Sequence, residues 1–481
     1  MLGVRAAKAG PPSKGRTLLR YQSTRGEAPE LGFEDVLLTG LARDGGLYVP
    51  VHWPQLPADA IRKLRGASYE DVAFTVLHPF IGGAIPDAEL KSMLTAAYGA
   101  FGHPAVAPLK QLDDNQWLLE LFHGPTLAFK DVAMQLLSRL MDWALAKRRT
   151  RAVIVGATSG DTGGAAIEAF KASQHASIFI LHPHGRVSDV QRRQMTTVDS
   201  PTVHNIAIEG NFDDCQAIVK ALFNDHQFRD DVGLAGVNSI NWARIMAQIV
   251  YYVTAAISLG SPDRKVNFCV PTGNFGDIFA GWVAKRMGLP IDRLIIAVNV
   301  NDIIDRALRT GRYDIKGVTP SSSPSMDIQV SSNFERLLFE AHGRDAGAVR
   351  RLMASLAQSG AFTIGSKELH VIIEEFVSGA TDEAATAATI RETLAATGEL
   401  LDPHTAVGYA VAKAQAPSAY PLVTLATAHP AKFPDAVEKA AGIRPGLPHR
   451  LAHLLEAPER FTVLPNSSEA VRDFIQSKRT A

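Results

Sequence analysis

The sequence predicts an α/β fold, a parallel sheet covered by helices, and three stretches carry that prediction. "RAVIVGATSGDTGGAAIEAFKAS" (151–173) runs from an apolar strand through a glycine-rich turn into an amphipathic helix. "KVNFCVPTGNFGDIFAGWVAKRMG" (265–288) repeats that order. A third apolar strand, within "PLVTLATAHPAKF" (421–433), ends in small and polar residues at Thr427 to His429. Strands that alternate with helices in this way build parallel sheets, because each crossover needs a long connection to bring the chain back to the same edge.

The elements are read in chain order. Residues 1–20 carry Arg5, Lys8, Lys14, Arg16 and Arg20 and no acid. Gly10, Pro11 and Pro12 would break the amphipathic helix of an organelle transit sequence, so this stretch reads as a disordered basic extension. From Tyr21 to about residue 100, polar loops such as "ARDGGLYVP" (42–50) alternate with helical patterns such as "SYEDVAFTVLHPF" (68–80), which describes a small amino-terminal domain, 21–100. The α/β region, 101–440, follows. In its first unit the strand spans Ala152 to Val155 and the helix starts after Asp161 or Thr162. In its second the strand runs through Val270, the turn covers Gly273 to Gly276, and the helix starts at about Asp277.

"IVYYVTAAISLG" (249–260) is too short to cross a bilayer, which needs about 20 residues, and reads as a buried helix. The loop "TPSSSPSMDIQVSSN" (319–333) exceeds an ordinary connection, and loops of that length are often functional. The Ala/Thr-rich segment 379–397 reads as a helix because "DEAATAATIRETLAATG" stops at Gly398. Residues 441–481 read as a helical carboxy-terminal segment.

A chain of 481 residues with 46% apolar residues can bury a large core, and 49 basic against 49 acidic residues gives no net charge. Phosphate neutralisation needs a basic surface, so the balance argues against a nucleic-acid partner. Cys215 and Cys269 are the only cysteines, which excludes a disulfide framework or a cysteine metal site and points to a reducing, cytoplasmic setting. No metal site is expected: "HPH" (182–184) has no second ligand pair at useful spacing and reads as two surface loop histidines.

"LFHGPTLAFKDVAM" (121–134) sets Lys130 after small and apolar residues at a helix start. A lysine in apolar surroundings loses its proton more easily, and the neutral amine can attack an aldehyde, which is the chemistry of pyridoxal phosphate attachment. Residue type alone favours a side chain that snorkels to solvent. Glycine turns between strand and helix expose N–H groups that can hold phosphate, although glycine also serves tight packing. The cofactor would need an amine, a phosphate cradle, a partner for its ring nitrogen and a grip on substrate carboxylate. Lys130, the turn at Gly273 to Asp277, Thr427 and "TSGDTG" (158–163) supply those residue types in that order.

"ELFHGPTLAFKDVAM", "YQSTRG" (21–26), "GATSGDTGGAAIEAF" (156–170), "NSINWARI" (238–245), "PTGNFGDIFAG" (271–281), "LDPHTAVG" (401–408) and "TAHPAKFP" (427–434) together resemble the threonine synthase family, in its longer bacterial and fungal subclass. The match covers about residues 20–440. It implies a fold-type II, tryptophan-synthase-β-like pyridoxal phosphate enzyme: two three-layer α/β domains interleaved in 101–440, plus the amino-terminal domain. By the same resemblance Lys130 is the Schiff-base lysine and Gly273, Asn274, Phe275, Gly276 and Asp277 form the cofactor turn. Thr427 faces the pyridine nitrogen, and Ser159, Gly160, Asp161 and Thr162 receive the substrate α-carboxylate. A neutral hydroxyl at the ring nitrogen leaves charge on the substrate carbons, which suits β,γ-chemistry.

The implied reaction takes O-phospho-L-homoserine and water to L-threonine and phosphate, with no nucleic acid or membrane as partner. Lys130, once displaced, is the candidate base. Arg244, with Asn238, Ser239 and Asn241, is nominated for the leaving phosphate; the alternative is an Asn- or Ser-capped helix start with an exposed arginine. Lys432 and His123 are weaker candidates, His123 as a residue that positions the loop before Lys130. Phe129 reads as core.

The rivals are a threonine or serine dehydratase of the same fold and a catalytically silent cofactor-binding homologue. A nicotinamide dehydrogenase fails on glycine spacing and on the missing acid after "IFILHPHG". "YAVAK" (409–413) is then a piece of helix.

Overall fold

The computed structural model describes residues 19–479. The extension read over 1–20 therefore lies outside the described residues except for Leu19 and Arg20.

Two sheets organise the chain. A six-stranded sheet runs Phe376–Ala380, Ile291–Val298, Val266–Pro271, Leu422–Ala426, Gln116–Glu120 and Leu109–Asp113, parallel except for the last, antiparallel pair. A five-stranded parallel sheet runs Thr462–Pro465, Val203–Glu209, Ala176–Pro183, Ala152–Ala157 and Leu234–Ala235. The chain leaves the first sheet after Glu120, builds the second, and returns at Val266, so the two are interleaved in sequence. Ala176–Pro183 and Val266–Pro271 are buried at every position, as parallel strands covered on both faces must be.

Parallel strands send their carboxyl ends to one edge, where ligands bind in open α/β sheets. Glu120, Pro271 and Ala426 end adjacent or next-adjacent strands of the six-stranded sheet, so the segments 121–129, 272–275 and 427–433 leave from that edge together. The strand Ala152–Ala157 delivers the 158–160 turn from the second sheet.

The helix Trp242–Ser258 is apolar nearly all round and buried at all but two positions, with Gly276–Met287, Tyr69–Ile81 and Lys130–Arg148 packed about it. The amino-terminal part docks here: Trp242 is fully buried against the rings of Tyr21, Trp53 and Phe80. Glu335 ties it further, accepting from Thr24 Oγ1 at 2.6 Å and from Arg25 Nε and Nη2 at 3.1 and 2.9 Å.

Element starts differ from the sequence reading by about one residue: the helices begin at Asp161 and at Gly276. The Ala/Thr-rich segment holds the helix Glu383–Thr397, with Gly398 left-handed at φ 74°, but residues 379–380 belong to the edge strand Phe376–Ala380. The carboxy-terminal segment is not simply helical. Besides Ser468–Lys478 it holds Thr462–Pro465, which pairs with Val203–Glu209 and closes an edge of the second sheet. Four half-exposed residues ending in proline give little alternation to read. His182 also departs from expectation: it lies buried on Ala176–Pro183, not in a surface loop.

Trp242→Ala should cost about 3–5 kcal/mol, the usual range for deleting a buried tryptophan. Chemical denaturation measures it, and a loss below about 1 kcal/mol would mean the amino-terminal part is not anchored through this ring.

Candidate active site

The segment before Lys130 is locked by its own polar residues. Asp131 accepts from Thr126 N at 2.7 Å and Thr126 Oγ1 at 2.6 Å, which closes the turn through Gly124 and Leu127. A Cβ on Gly124 would lie 2.4 Å from that of Asp131, so glycine is required there. Residues 127–129 then pair with 427–429: His429 N donates to Leu127 O at 3.0 Å, and Phe129 N to Thr427 O at 2.8 Å. This ladder sets Lys130, first residue of the helix Lys130–Arg148, beside Thr427.

Lys130 is buried, with Nζ 3.3 Å from Asp161 Oδ2, 3.4 Å from Ser325 Oγ and 4.9 Å from the centre of the Phe129 ring. Burial lowers its pKa below the ordinary lysine value; the Asp161 carboxylate opposes that, and the Lys432 and Arg244 cations reinforce it. Asp161 opens the helix Asp161–Phe170, across from Lys130. Burial would raise its carboxyl, but Lys432 and Lys130 outweigh burial and hold it well below the usual range. Lys432, fully buried, reaches Asp161 Oδ1 at 2.9 Å and Thr126 O at 2.7 Å. Gln191 Nε2 and Ser325 Oγ complete the set, both at 2.9 Å. Ser325 N donates to His404 Nε2 at 3.2 Å, and His404 Nδ1 lies 2.8 Å from Asp402 Oδ1. The loop 319–333 is thus built into this wall.

The turn after Val266–Pro271 fits an anion. Phe275 is left-handed at φ 62°, and a Cβ on Gly273 would stand 2.8 Å from the Ser325 carbonyl oxygen. The first intrahelical bond is Phe279 N to Phe275 O at 3.2 Å, which leaves the N–H groups of Gly276, Asp277 and Ile278 without intrahelical partners. Ser331 Oγ and Asn333 Nδ2 hold the turn's carbonyls at Gly273 and Asn274, at 2.7 and 2.9 Å. Asp277 faces away from this role: its carboxylate accepts from Tyr251 and, at 3.0 Å, from Tyr252, and burial pushes it up to about 6. Ser325 joins the turn to the lysine, its carbonyl packed on Gly273 and its hydroxyl 3.4 Å from Lys130 Nζ. A buried amine of lowered pKa and a free N–H cradle, with the backbone of Thr427 paired to the residue before that lysine, fit pyridoxal phosphate.

Three family models match the chain: "Threonine synthase N terminus" over 20–98, "Pyridoxal-phosphate dependent enzyme" over 103–371, and "Threonine synthase, C-terminal" over 405–475. The threonine synthase of Pseudomonas aeruginosa is 56% identical over 95% of this chain and 98% of its own. The chain belongs to the threonine synthase family. The pyridoxal phosphate-bound threonine synthase of Brucella melitensis is 62% identical, with a TM-score of 0.95, over 96% of this chain and all of that one. The yeast threonine synthase is 38% identical, with a TM-score of 0.91, over 95% and 98%. The fold-type II architecture and pyridoxal 5'-phosphate as cofactor belong to this chain with the family.

The residues nominated for phosphate divide. Arg244 is buried, not exposed; its Nη1 donates to Val237 O at 3.2 Å, Nε has no partner, and burial lowers its pKa to about 10. Asn241 is occupied: it caps the helix through Ala243 N and donates to Leu37 O, both at 2.9 Å. Asn238 is exposed and Ser239 half-buried. In the carboxylate turn Gly160 needs glycine, at φ 143° with Gln191 2.5 Å from a would-be Cβ, while Ser159 is exposed and Thr162 half-buried. Among the cofactor-turn residues Phe275 is core, packed on Phe334 and Phe376. Phe129, read as core, is half-buried beneath Lys130. His123 pairs with Glu120 at 2.7 Å on the wall of a cavity of about 530 Å³ with Arg450 and His429. Sequence reasoning missed Ser325 and Gln191, met His404 only within "LDPHTAVG", and undervalued Lys432. The one signal was the anomalous length of the 319–333 loop.

Asp277 gives a pH test. Its pKa is raised by folding, so the stability of the protonated form is complete below the ordinary aspartate value and is lost as pH rises through about 6. Asp277→Asn lacks that loss. Without added cofactor it should gain about 2–3 kcal/mol on the wild type between about pH 4 and about pH 7; a pH-independent difference would remove the raised pKa.

Proposed function

We propose that the chain performs the threonine synthase reaction, taking O-phospho-L-homoserine and water to L-threonine and phosphate. The observation that carries this reading is the buried Lys130 amine, weakly held at 3.3 Å by Asp161 beside a free N–H cradle, in a chain similar end to end to threonine synthases.

Pyridoxal phosphate, when bound, supplies an aldehyde for amines and a conjugated ring that draws electron density from the substrate carbons. Lys130 holds it and, once free, takes the Cα proton, a task that suits an amine whose pKa burial has lowered. The N–H groups of residues 276–278 would hold the cofactor phosphate, and the Thr427 hydroxyl would meet the ring nitrogen. Asp161 keeps its carboxylate for the lysines, so a substrate carboxylate meets the N–H groups at 161–162. Those groups lack intrahelical partners, since the first such bond is Gly164 N to Gly160 O. Arg244 offers a guanidinium with donors to spare to the departing phosphate. Loss of a Cβ proton lets phosphate leave Cγ, Cγ takes up a proton, and water adds its hydroxyl at Cβ as a proton returns to Cα.

Residues 21–100 form the amino-terminal domain in this reading and 101–440 the catalytic region, with Thr462–Pro465 extending its second sheet. Both cysteines are buried and unpaired, which suits a reducing compartment such as the cytoplasm. Among the described residues no helix is long and apolar enough to cross a membrane.

Purified protein with pyridoxal phosphate and O-phosphohomoserine should release phosphate and threonine in equal amounts. Phosphate without threonine, or turnover of threonine alone, would replace the reading with another elimination or with a dehydratase. Lys130→Ala should leave no borohydride-fixed cofactor on the protein. An adduct at another lysine would sink the assignment.

A further inference from the structure

The Asp161 carboxylate has about four acceptor positions, and all are taken. Oδ1 receives Lys432 Nζ and Gln191 Nε2, each at 2.9 Å; Oδ2 receives Ser325 Oγ at 2.9 Å and Lys130 Nζ at 3.3 Å. Lys130 makes the longest of the four contacts. Its other acceptor, Ser325 Oγ at 3.4 Å, already donates to Asp161. Lys432 is better held: it is fully enclosed and donates also to Thr126 O at 2.7 Å, in the turn that leads to Lys130. The two lysines therefore compete for one carboxylate, and the geometry favours Lys432.

We propose that Lys432 is a positioning residue for the reaction: by claiming Asp161 it prevents that carboxylate from locking Lys130 as an ammonium, and so keeps the Lys130 amine available as nucleophile and base. This rests on the reading of Lys130 as the attachment point. The charged and titratable groups around Lys130 and Lys432 are Asp161 on its helix start, Lys432 on the turn Pro430–Lys432, Arg244 on Trp242–Ser258, Asp277 on Gly276–Met287 and Asp131, held by Thr126 and facing Lys432, with His404 reaching Asp161 through Ser325. Arg244 adds a second repulsion, while the carboxylate of Asp277 is engaged by two tyrosines. Of these groups Lys432 alone both repels Lys130 and occupies its partner. Without Lys432, Asp161 has Lys130 as its one lysine, and the amine is retained as ammonium. Attachment needs the neutral form: the Nζ lone pair forms a bond to the aldehyde carbon, and the carbonyl oxygen leaves as water with the two amine protons.

Pyridoxal 5'-phosphate is added to the full-length protein, freed of cofactor, across a pH series; the product is fixed with borohydride and counted on the Lys130 peptide by mass spectrometry. The midpoint of the rate in Lys432→Met should lie about one unit or more above wild type, so that attachment at neutral pH slows about tenfold and recovers in alkali. Lys432→Met with Asp161→Asn removes both buried charges together and should return the midpoint to the wild-type position or below. A structural defect alone would slow attachment at every pH and leave the midpoint in place, which would overturn the proposal, as would an unmoved midpoint at normal rate. If the double variant stays shifted upward, Asp161 is not the group through which Lys432 acts. Failure of the wild type to attach cofactor at Lys130 would instead remove the functional reading itself.

Discussion

Everything at the centre of this molecule depends on one buried carboxylate held from several directions. Asp161 stands at a helix start delivered by the five-stranded sheet, while Lys130, Lys432 and Ser325 come from segments that leave or line the six-stranded one. An unpaired charge at that depth would be costly, and breaking a buried pair by removing one partner costs several kcal/mol. The cluster therefore joins the two sheets, and the same contacts set the charge around Lys130. Packing and reactivity are set by one set of distances.

The surroundings share a sign. Two lysines, Arg244, the free N–H groups at 276–278 and those at the start of Asp161–Phe170 all present positive charge, against Asp161 and the tyrosine-engaged Asp277. The molecules proposed to gather there bring a cofactor phosphate, a substrate phosphate and a substrate carboxylate. Walls that exclude water make each of these attractions stronger than at the surface, without reorganisation as charge moves. Asp161 and Lys432 cancel much of each other's field at Lys130.

The strands Ala152–Ala157 and Val266–Pro271 were legible because continuous apolar runs ending in glycine turns have few other uses. Gly398 marked a helix end because its left-handed conformation suits glycine. The placement of Lys130, buried at a helix start, was legible from the small and apolar residues before it. What escaped was set by long-range contact. Lys432 has a composition like any helix-flanking lysine, and only the ladder of 427–429 on 127–129 brings it to Asp161. Ser325 sits in a loop without periodicity, and its partners His404 and Asp161 lie 79 and 164 residues away. Asn241 shows the reverse error: a polar residue in a family motif proves to cap a helix, the commoner use of asparagine at that position.

The arrangement is tested most directly by a crystal structure of the protein with pyridoxal phosphate bound. The account predicts the cofactor joined to Lys130 Nζ, its phosphate on the N–H groups of residues 276–278, its ring nitrogen at the Thr427 hydroxyl, and Lys432 still on Asp161. A phosphate seated on the 158–162 turn, or a ring nitrogen facing a carboxylate, would contradict it.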